Sequence, residues 1–431
     1  MLWWLNRGNF LVCKWPMRAI EWCDFFLMPN SIRQGCQRML NQNWHRKLPL
    51  IQSQSPAEIA CVGLRSAINE VYLKTERKPL LVVDFCAGGG GPTPIFERLI
   101  NARNRDDPDM RNCAPLQFML TDLYPNVEAW REACSQSNNL SYKADKVDAT
   151  DPPVELLSDG SDLKVSFVDE GLEGRHRIFR LFNLSFHHFD NHAAREILRS
   201  TLQTSDGFAI IELQDRRIGC IMMMLLNWIL VFIFTLPWFL PFRGPWRRWW
   251  LNMKQLGLTY IFPVLPLTLC WDGVASCLRT REFEEVMALV GEVEGVEPHI
   301  HKESEEVTAE KACQIGEWTF TWRKQLHTFP LMYCSWITGI KTSTPKRERA
   351  GSLEASSEAS GSHGNLSSSA INTDPESARA ERLDSVQLSI GANTGMSTGA
   401  SAGENAREKK RQDKGKGKRL SLETNMTDGS A

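Results

Sequence analysis

The chain has 431 residues, of which 42% are hydrophobic and 23% are charged, and its formal net charge is -1. This composition is typical of a globular protein of one or two domains, and the near-zero charge excludes a general attraction to nucleic acid. The twelve cysteines form no CxxC pair, which indicates reduced thiols in the cytosol and no zinc module. Arg7, Lys14 and Arg18 interrupt the N-terminal apolar residues, so this segment is a poor secretory signal.

The first elements follow from local signals. Residues 1–54 are predicted to form an N-terminal helical extension. The sequence from Ser55 to Glu58 is a capping box with proline at the first helical position, which predicts a helix to about Tyr72. Residues 80–84 (LLVVD) are apolar at successive positions. Such a run is typical of a strand covered on both faces, in the middle of a parallel sheet.

Helix and strand patterns alternate after this strand. Strands separated by helices of this length indicate βαβ units and a doubly wound, mostly parallel α/β sheet. A closing hairpin at 317–324 and 331–340 completes seven predicted strands. The other predicted strands are 116–121, 142–147, 178–184 and 207–213, and the predicted helices are 92–100, 126–134, 191–203 and 281–290.

A glycine-rich turn follows the first strand, from Asp84 to Thr93. Ligands of open α/β sheets bind beyond the carboxyl ends of the strands, and glycine lets the backbone approach them closely. Asp122 ends the second strand, where a carboxylate can accept the hydroxyls of a ribose, and Asp148 follows the third, facing an adenine edge. A dinucleotide-binding oxidoreductase fits less well, because Thr93 replaces its third glycine and its ribose acid is expected after only ~20 residues.

The motifs DFCAGGGGPT, TDLYP, VDATD and FNLSFHHFD resemble a sparsely characterised group of class I S-adenosylmethionine-dependent methyltransferases with an apolar insertion. The resemblance covers about residues 55–341 and implies a Rossmann-like methyltransferase sheet that binds S-adenosylmethionine. It also implies that Cys86 stands where many members carry the first glycine. The resemblance assigns Asp84, Gly88 and Gly90 to the methionine portion of the cofactor, Asp122 to the ribose, and Asp148 with Ala149 to the adenine. Further residues expected at the cofactor site are Cys86, Ala87 and Asn183.

The methyl acceptor is expected at the end of the fourth strand, from Asn183 to Asp190. His187 or His188 is the candidate catalytic base there, since imidazole titrates near neutrality. A structural role stays open, in which one histidine packs on the following helix and Asp190 or Asn191 caps it. No metal site is predicted.

Residues 218–242 carry no charge and are followed by interleaved Trp and Arg residues, a length and flank typical of a membrane span. The apolar insertion extends to residue 271. One full crossing would separate two halves of a single sheet, so a re-entrant hairpin, an interfacial helix or a soluble lid remain as alternatives. Association with a membrane from one face, with the catalytic domain in the cytosol, is favoured. Asp272 and Arg279 are expected either to form a buried pair or to make a structural turn.

The predicted function is membrane-associated methyl transfer from S-adenosylmethionine to a small-molecule or lipid-like acceptor. The alternatives are a catalytically inactive membrane scaffold with the same fold, or a nucleic-acid or protein methyltransferase. Only a basic run at 407–419 favours a nucleic-acid partner. This run lies in residues 342–431, which lack aromatic residues and cysteine and are predicted to be disordered.

Overall fold

A computed structural model describes residues 8–153, 156, 177–240, 246–303 and 310–342. The predicted tail beyond Thr342, with its basic run, lies outside the described residues. Within them, the chain forms a layered α/β structure in which helices cover a central sheet.

Nine strands of the described residues form one mixed sheet in the order β3-β2-β1-β4-β5-β9-β8-β7-β6. Strands β1 to β5 pair in parallel, and β9 then joins β5 in the antiparallel direction. The strands are β1 (Leu80–Phe85), β2 (Gln117–Leu120), β3 (Leu140–Tyr142), β4 (Arg177–Asn183), β5 (Gly207–Glu212), β6 (Ile300–Glu303), β7 (Glu310–Ile315), β8 (Trp318–Thr328) and β9 (Met332–Lys341).

Strand β1 lies in the centre of the parallel half, between β2 and β4. All six of its residues are buried. Its side chains alternate, so that Leu80 and Val82 pack in the core on one face while Leu81 and Val83 pack on the other. The prediction of a strand covered on both faces is therefore confirmed, because only a central strand buries both sets of side chains.

The helices between the strands cover both faces of the sheet. The capping box of the second helix forms as predicted, with the Ser55 hydroxyl accepting from the Glu58 amide at 3.3 Å and a Glu58 carboxylate oxygen accepting from the Ser55 amide at 2.8 Å. The described helices are α1 (Asn30–His45), α2 (Pro56–Lys74), α3 (Thr93–Asp106), α4 (Val127–Cys134), α5 (Asn191–Thr204), α6 (Ile218–Leu225), α7 (Asn227–Trp238), α8 (Trp246–Leu256), α9 (Val264–Arg279) and α10 (Phe283–Glu294).

Two sequence predictions about the sheet are wrong. The sheet has nine strands instead of seven, because β6 and β7 extend its antiparallel edge. Their sequences (IHKE and EKACQI) are mostly polar. Cys313 and Ile315 of β7 are buried, but two apolar positions do not make the pattern of a central strand. The third strand is β3 at Leu140–Tyr142 and not 142–147, because residues 143–146 (KADK), which include three charged side chains, form a loop.

The apolar insertion folds into short helices. Among the described residues, no single helix is both long and apolar enough to cross a bilayer. Two helix pairs reach that length and composition together, but α6 and α7 are bent by 48°, and the second pair, which spans 248–279, is bent by 79°. A transmembrane helix over 218–242 is therefore not confirmed.

The N-terminal extension packs against the insertion. Cys36 and Met39 of α1 share a buried cluster with Val231, Leu265 and Leu269 of the insertion. Upstream of α1, the backbone of residues 10–12 hydrogen-bonds to the backbone of residues 216–218 at the start of α6. The two segments form an isolated antiparallel bridge between Leu11 and Arg217. Together, the extension and the insertion cover the carboxyl end of the parallel strands.

Candidate functional site

The glycine-rich loop after β1 uses a backbone conformation that favours glycine. Gly88, Gly90 and Gly91 have positive φ angles of 53°, 100° and 49°. Cys86 also has a positive φ, of 63°, which for a residue with a Cβ costs of order 1–3 kcal/mol. The prediction that Cys86 occupies a glycine position is matched by this geometry, because the turn needs the left-handed region at residue 86.

Asp122 holds this loop in place from the end of β2. One carboxylate oxygen accepts from the Gly88 amide at 2.8 Å and the other accepts from the Tyr124 amide at 2.7 Å. Burial raises the pKa of Asp122 from its usual value, although these backbone hydrogen bonds oppose the rise. The Trp130 indole donates to the Gly88 carbonyl at 2.9 Å. Asp122 therefore shapes the loop in addition to facing the cavity.

Helix α1 of the N-terminal extension contacts the same loop. The Asn41 amide donates to the Gly89 carbonyl at 2.8 Å, and the His45 Nε2 lies 3.0 Å from the Gly91 carbonyl. A Cβ at Gly89 would meet the Asn41 side chain at 3.0 Å. The extension is thus part of the site, which the sequence did not indicate, since nothing local links residue 41 to residue 89.

Asp84 lies at the carboxyl end of β1 and is fully buried. Its Oδ2 accepts from the Thr93 hydroxyl at 2.5 Å, and the Asn183 amide donates to that hydroxyl oxygen at 3.1 Å. Burial raises the pKa of Asp84 to about 8, with the charge of Asp122 adding to the effect. The Oδ1 atoms of Asp84 and Asn183 are both buried, and neither has a hydrogen-bond partner among the described residues.

Asp148 and Ala149 follow β3 at the other side of the loop. Asp148 is exposed, and its Oδ1 accepts from the Thr150 amide at 2.8 Å and from its hydroxyl at 2.7 Å. Ala149 is buried. Both line the same cavity as Asp122, at the far side from Asp84 along the order of the strands β3-β2-β1.

One cavity of about 1190 Å³ joins these residues. That volume exceeds the roughly 300–1,000 Å³ usual for a drug-sized ligand, so it can hold more than one molecule. Gly90 lies outside the wall and serves the turn. The predicted residues that line the cavity are Asp84, Cys86, Ala87, Gly88, Asp122, Asp148, Ala149, Asn183, His187 and His188.

His187 is buried beside two carboxylates. Its Nδ1 lies 2.9 Å from Oε2 of Glu212, and its Nε2 lies 3.4 Å from Oε1 of Glu21. Burial by itself lowers the pKa of His187, but the two carboxylates outweigh it and raise the pKa to about 10. An imidazole that keeps its proton at neutral pH cannot accept another one, so in this state His187 is not poised as a general base.

His188 is half-buried on the same short turn. Its Nδ1 lies 2.9 Å from Oδ2 of Asp24, and its Nε2 lies 3.7 Å from Oε2 of Glu21. Arg279 fixes this turn, since its guanidinium donates to the carbonyls of His187 and His188 at 3.1 and 2.6 Å. Asp190 caps α5 by accepting from the Ala193 amide at 2.8 Å, as the structural alternative expected. A catalytic role for either histidine stays a prediction.

Three residues of this cluster were missed in the sequence. Glu212 ends the apolar strand β5, so it carries the same signal as Asp84 and Asp122, an acid at a carboxyl strand end. Glu21 and Asp24 lie in or beside a single 3-10 turn, Trp22–Asp24, of the extension. No local pattern marks them, because their role depends on contacts with residues far along the chain.

Asp272 and Arg279 do not pair with each other, so the expected buried pair is not formed. The Asp272 carboxylate accepts from the amides of Trp22 and Cys23 at 2.6 and 3.1 Å. Arg279 lies 3.1 Å from Asp24. Both side chains therefore fasten the N-terminal extension to α9, which holds Glu21 and Asp24 over the cavity.

The insertion forms the apolar wall of the cavity. Side chains of α6 and α7 line it, and so do the last two residues of β8. These residues are Met223, Met224, Asn227, Leu230, Val231, Phe234 and Trp238 of the insertion, with His327 and Thr328. The cavity is therefore polar near the loop and apolar beneath the insertion.

Comparisons with known proteins gave structural matches only. A scan against protein-family models and a search of curated proteins found no match to this sequence. A solved structure described as a putative Zn-dependent alcohol dehydrogenase from Rhodobacter sphaeroides is 13% identical, with a TM-score of 0.33, and the alignment covers 73% of this chain and 98% of that one. Human N-acetylserotonin methyltransferase in complex with S-adenosylmethionine is 12% identical, with a TM-score of 0.30 and coverage of 73% and 57%.

A third solved structure is a putative sarcosine dimethylglycine methyltransferase from Galdieria sulphuraria. It is 10% identical to this chain, with a TM-score of 0.31 and coverage of 73% and 99%. Several of the similar structures are S-adenosylmethionine-dependent methyltransferases. At these TM-scores, the function is inferred from the residues of the chain itself.

Proposed function

We propose that this protein is an S-adenosylmethionine-dependent methyltransferase that acts on a small or lipid-like acceptor. The observation that carries the proposal is the pair of unpartnered buried oxygens, Asp84 Oδ1 and Asn183 Oδ1. Buried acceptors without a partner are rare in folded proteins, because each one lowers the stability of the fold by about 1–3 kcal/mol. Both residues line the cavity beside the glycine-rich loop, and a ligand ammonium group that reaches these oxygens would satisfy them. The methionine end of S-adenosylmethionine carries that group.

The rest of the loop fits the same cofactor. Each carboxylate oxygen of Asp122 holds one backbone amide and keeps a second lone pair, so the carboxylate can still accept a ribose hydroxyl. Asp148 and Ala149 lie beyond it, on the side expected for the adenine. Bound S-adenosylmethionine supplies an electrophilic methyl group. The part of this chain is to align the acceptor with that group and to exclude water from the cavity.

The acceptor side of the cavity supports an apolar or amphipathic substrate. Met223, Leu230 and Phe234 face it from the insertion, whereas His187 and His188 face it from the turn after β4. A small molecule with a polar reacting end and an apolar body satisfies both walls. The same apolar wall makes nucleic acid a poor acceptor, because Met223, Leu230 and Phe234 offer no charge to phosphate groups.

A binding titration tests the cofactor site. We expect S-adenosylmethionine to bind the full-length protein and Asp122→Ala to weaken binding at least tenfold. The matched control is Asp145→Asn, an exposed acid in the loop after β3 that lies outside the cavity wall, and it should bind like the wild type. Absence of binding by folded wild-type protein would overturn the methyltransferase proposal and favour an inactive scaffold.

We also infer that the protein associates with a membrane from its cytosolic side. Exposed apolar side chains concentrate on the insertion and on the segment that packs against it. Trp22 of that segment stacks on Trp271 of α9 at 5.9 Å, so the two apolar surfaces adjoin. The exposed residues include Trp15, Met17, Ile20, Phe26 and Leu27 of the extension, and Met222, Ile233, Leu236, Ile261, Phe262 and Leu267 of the insertion.

An apolar surface of this kind, with aromatic and basic side chains at its margin, is typical of proteins that lie in the bilayer interface. Lys254 lies over the Trp250 ring at 5.6 Å, and Lys14 lies over the Trp15 ring at 5.3 Å, an arrangement suited to anionic headgroups. All twelve cysteines are free, which supports a cytosolic location.

Sedimentation with vesicles of phosphatidylcholine and phosphatidylserine tests this inference. Ile261 and Phe262 are 72% and 66% exposed, and the double substitution to Ser should weaken vesicle binding at least tenfold. Leu50→Ser is the matched control, because Leu50 is a fully exposed apolar residue outside the insertion and the segment packed against it. Equal binding by the wild type and the double variant would contradict membrane association through this surface.

A further inference from the structure

The turn after β4 carries a second group of side chains with its own chemistry. His187 and His188 are adjacent in sequence, and their rings lie 4.4 Å apart, tilted by 32°. Both Nε2 atoms face the same carboxylate, that of Glu21. One ligand atom from each of these three residues lies within 4.8 Å of the others. The sequence predicted no metal site, because Glu21 lies far from the histidines along the chain.

The distances in this group are unusual for hydrogen bonds. The Nε2 atoms lie 3.4 and 3.7 Å from the Glu21 oxygens, whereas charge-assisted hydrogen bonds are usually about 2.7–2.9 Å long. Metal bonds of about 2.0–2.1 Å to imidazole and carboxylate in a tetrahedral arrangement separate two ligand atoms by roughly 3.4 Å. The spacing therefore suits two ligands of one ion better than a direct contact.

The other nitrogen of each ring is held by a carboxylate. Nδ1 of His187 lies 2.9 Å from Glu212, and Nδ1 of His188 lies 2.9 Å from Asp24. Metal-binding histidines in proteins almost always donate their second N–H to a carboxylate or carbonyl, which fixes the ring and aims the free nitrogen at the ion. Here, both histidines have that support, and the Nε2 atoms of both rings face the Glu21 carboxylate.

The charge of the group also matches a cation. Asp24 and Glu212 hold the rings, Glu21 faces both of them, and Arg279 is the cation that lies within 4 Å of Glu21 and Asp24. Metal binding displaces the Nε2 proton of a protonated ring, and the three carboxylates and one guanidinium then leave two negative charges. A divalent ion neutralises that charge, and two imidazoles with one carboxylate are ligands that zinc or iron(II) accepts.

We propose that Glu21, His187 and His188 bind a divalent transition-metal ion at the wall of the cavity. Three protein ligands leave a coordination position open, as in catalytic metal sites, where a ligand oxygen can bind. Metal binding itself does not depend on the proposed methyl transfer. A role of the ion in orienting the oxygen or nitrogen of a methyl acceptor does rest on that function.

Zinc titration of the apoprotein, reduced and freed of metal by a chelator, tests the proposal. The twelve cysteines offer thiols that also take up zinc, so the decisive quantity is the difference between proteins. We expect His188→Ala and Glu21→Gln each to lose one equivalent of bound zinc. Glu132→Gln is the matched control, because Glu132 is exposed and pairs with Arg248, and it should keep the full stoichiometry.

A more conservative variant covers the case in which those substitutions disturb folding. Asp24 is 42% exposed and contacts both His188 and Arg279. Asparagine keeps a side-chain oxygen that can accept from either group, so Asp24→Asn should fold and weaken zinc affinity about 10–100-fold. Cobalt(II) gives a second readout, since its visible absorption reports nitrogen and oxygen ligands and should disappear in His188→Ala. Equal zinc stoichiometry and affinity in the wild type and all three site variants would overturn the proposal. S-adenosylmethionine titration of the same proteins, compared with Asp122→Ala, separates this failure from a failure of the cofactor site.

Discussion

Replacing Asp84 by asparagine should stabilise the free protein while damaging its ligand site. Asp84 is fully buried, and its pKa is about 8 against an ordinary value of 3.8. The pKa of Asp84 is higher in the folded protein than in the unfolded chain. Its contribution to stability is therefore complete below pH 3.8 and is lost as the pH rises through about 8. The asparagine side chain has nearly the same shape, can accept from Thr93, and cannot ionise.

The size of the effect follows from the two pKa values. At pH 7, keeping Asp84 protonated in the folded state costs about 4 kcal/mol relative to the ionised unfolded state, and at pH 5 it costs about 2 kcal/mol. The difference in unfolding free energy between Asp84→Asn and the wild type should therefore grow by about 3 kcal/mol from pH 5 to pH 7. Other groups titrate in both proteins and cancel from this difference.

Urea unfolding followed by tryptophan fluorescence at pH 5, 6 and 7 measures this difference. Asp145→Asn, at an exposed position, should show no such pH-dependent gain. A constant difference between Asp84→Asn and the wild type across this range would refute the reasoning, because it would mean that Asp84 is already ionised in the folded protein.

The same carboxyl group couples ligand affinity to pH. A ligand ammonium favours the ionised form of Asp84, so wild-type affinity for S-adenosylmethionine should rise up to tenfold per pH unit towards pH 8. Burial also raises the pKa of Asp122, and its ionisation favours the contact with a ribose hydroxyl. The Asp84→Asn variant should bind more weakly at pH 8 and lose the steep part of this dependence.

Three further outcomes are expected. In urea unfolding, the free energy of unfolding of Cys86→Val should be at least about 1 kcal/mol lower than that of Cys86→Gly, because φ is 63° at this position and a β-branched residue is disfavoured there. Equal free energies would contradict this. The pKa of His327 is lowered to about 4 by burial, so stability is complete above pH 6.5 and falls by about 3 kcal/mol towards pH 4, a loss that His327→Gln should remove in acid unfolding. Arg216 is buried and donates to both carboxylate oxygens of Glu285 at 2.7 and 2.8 Å. Arg216→Ala should therefore lower the free energy of unfolding by about 3–5 kcal/mol. A loss below about 1 kcal/mol in chemical unfolding would show that the pair is not needed for stability.

The parallel half of the sheet was readable in the sequence because it depends on local patterns. The apolar run at 80–84 could only be buried on both faces, and the capping box at residue 55 set the start of α2. The acids Asp84 and Asp122 stand at carboxyl strand ends, which meet at one edge of a parallel sheet. These positions follow from chain order and periodicity, so the loop and its two acids could be placed beforehand.

The cluster at the acceptor side could not be read in the same way. His188 contacts Asp24 across 164 positions of the chain, and Asn41 reaches the glycine-rich loop across 48. Strands β6 and β7 carry only a weak apolar pattern. Cys313 and Ile315 of β7 are buried, but two apolar positions do not stand out from the polar residues around them. Contacts of this kind arise only when separate segments pack together.

Hydrophobic periodicity and turn chemistry act over a few residues. These local signals therefore specified the order of strands and helices in the parallel half of the sheet, the position of the glycine-rich turn and the acids around it. Tertiary structure alone decided which charges meet. It folded the extension over the cavity, bent the apolar insertion into short helices, and brought Glu21 to His187 and His188. Such convergence depends on long-range packing, for which a single sequence carries no local signal.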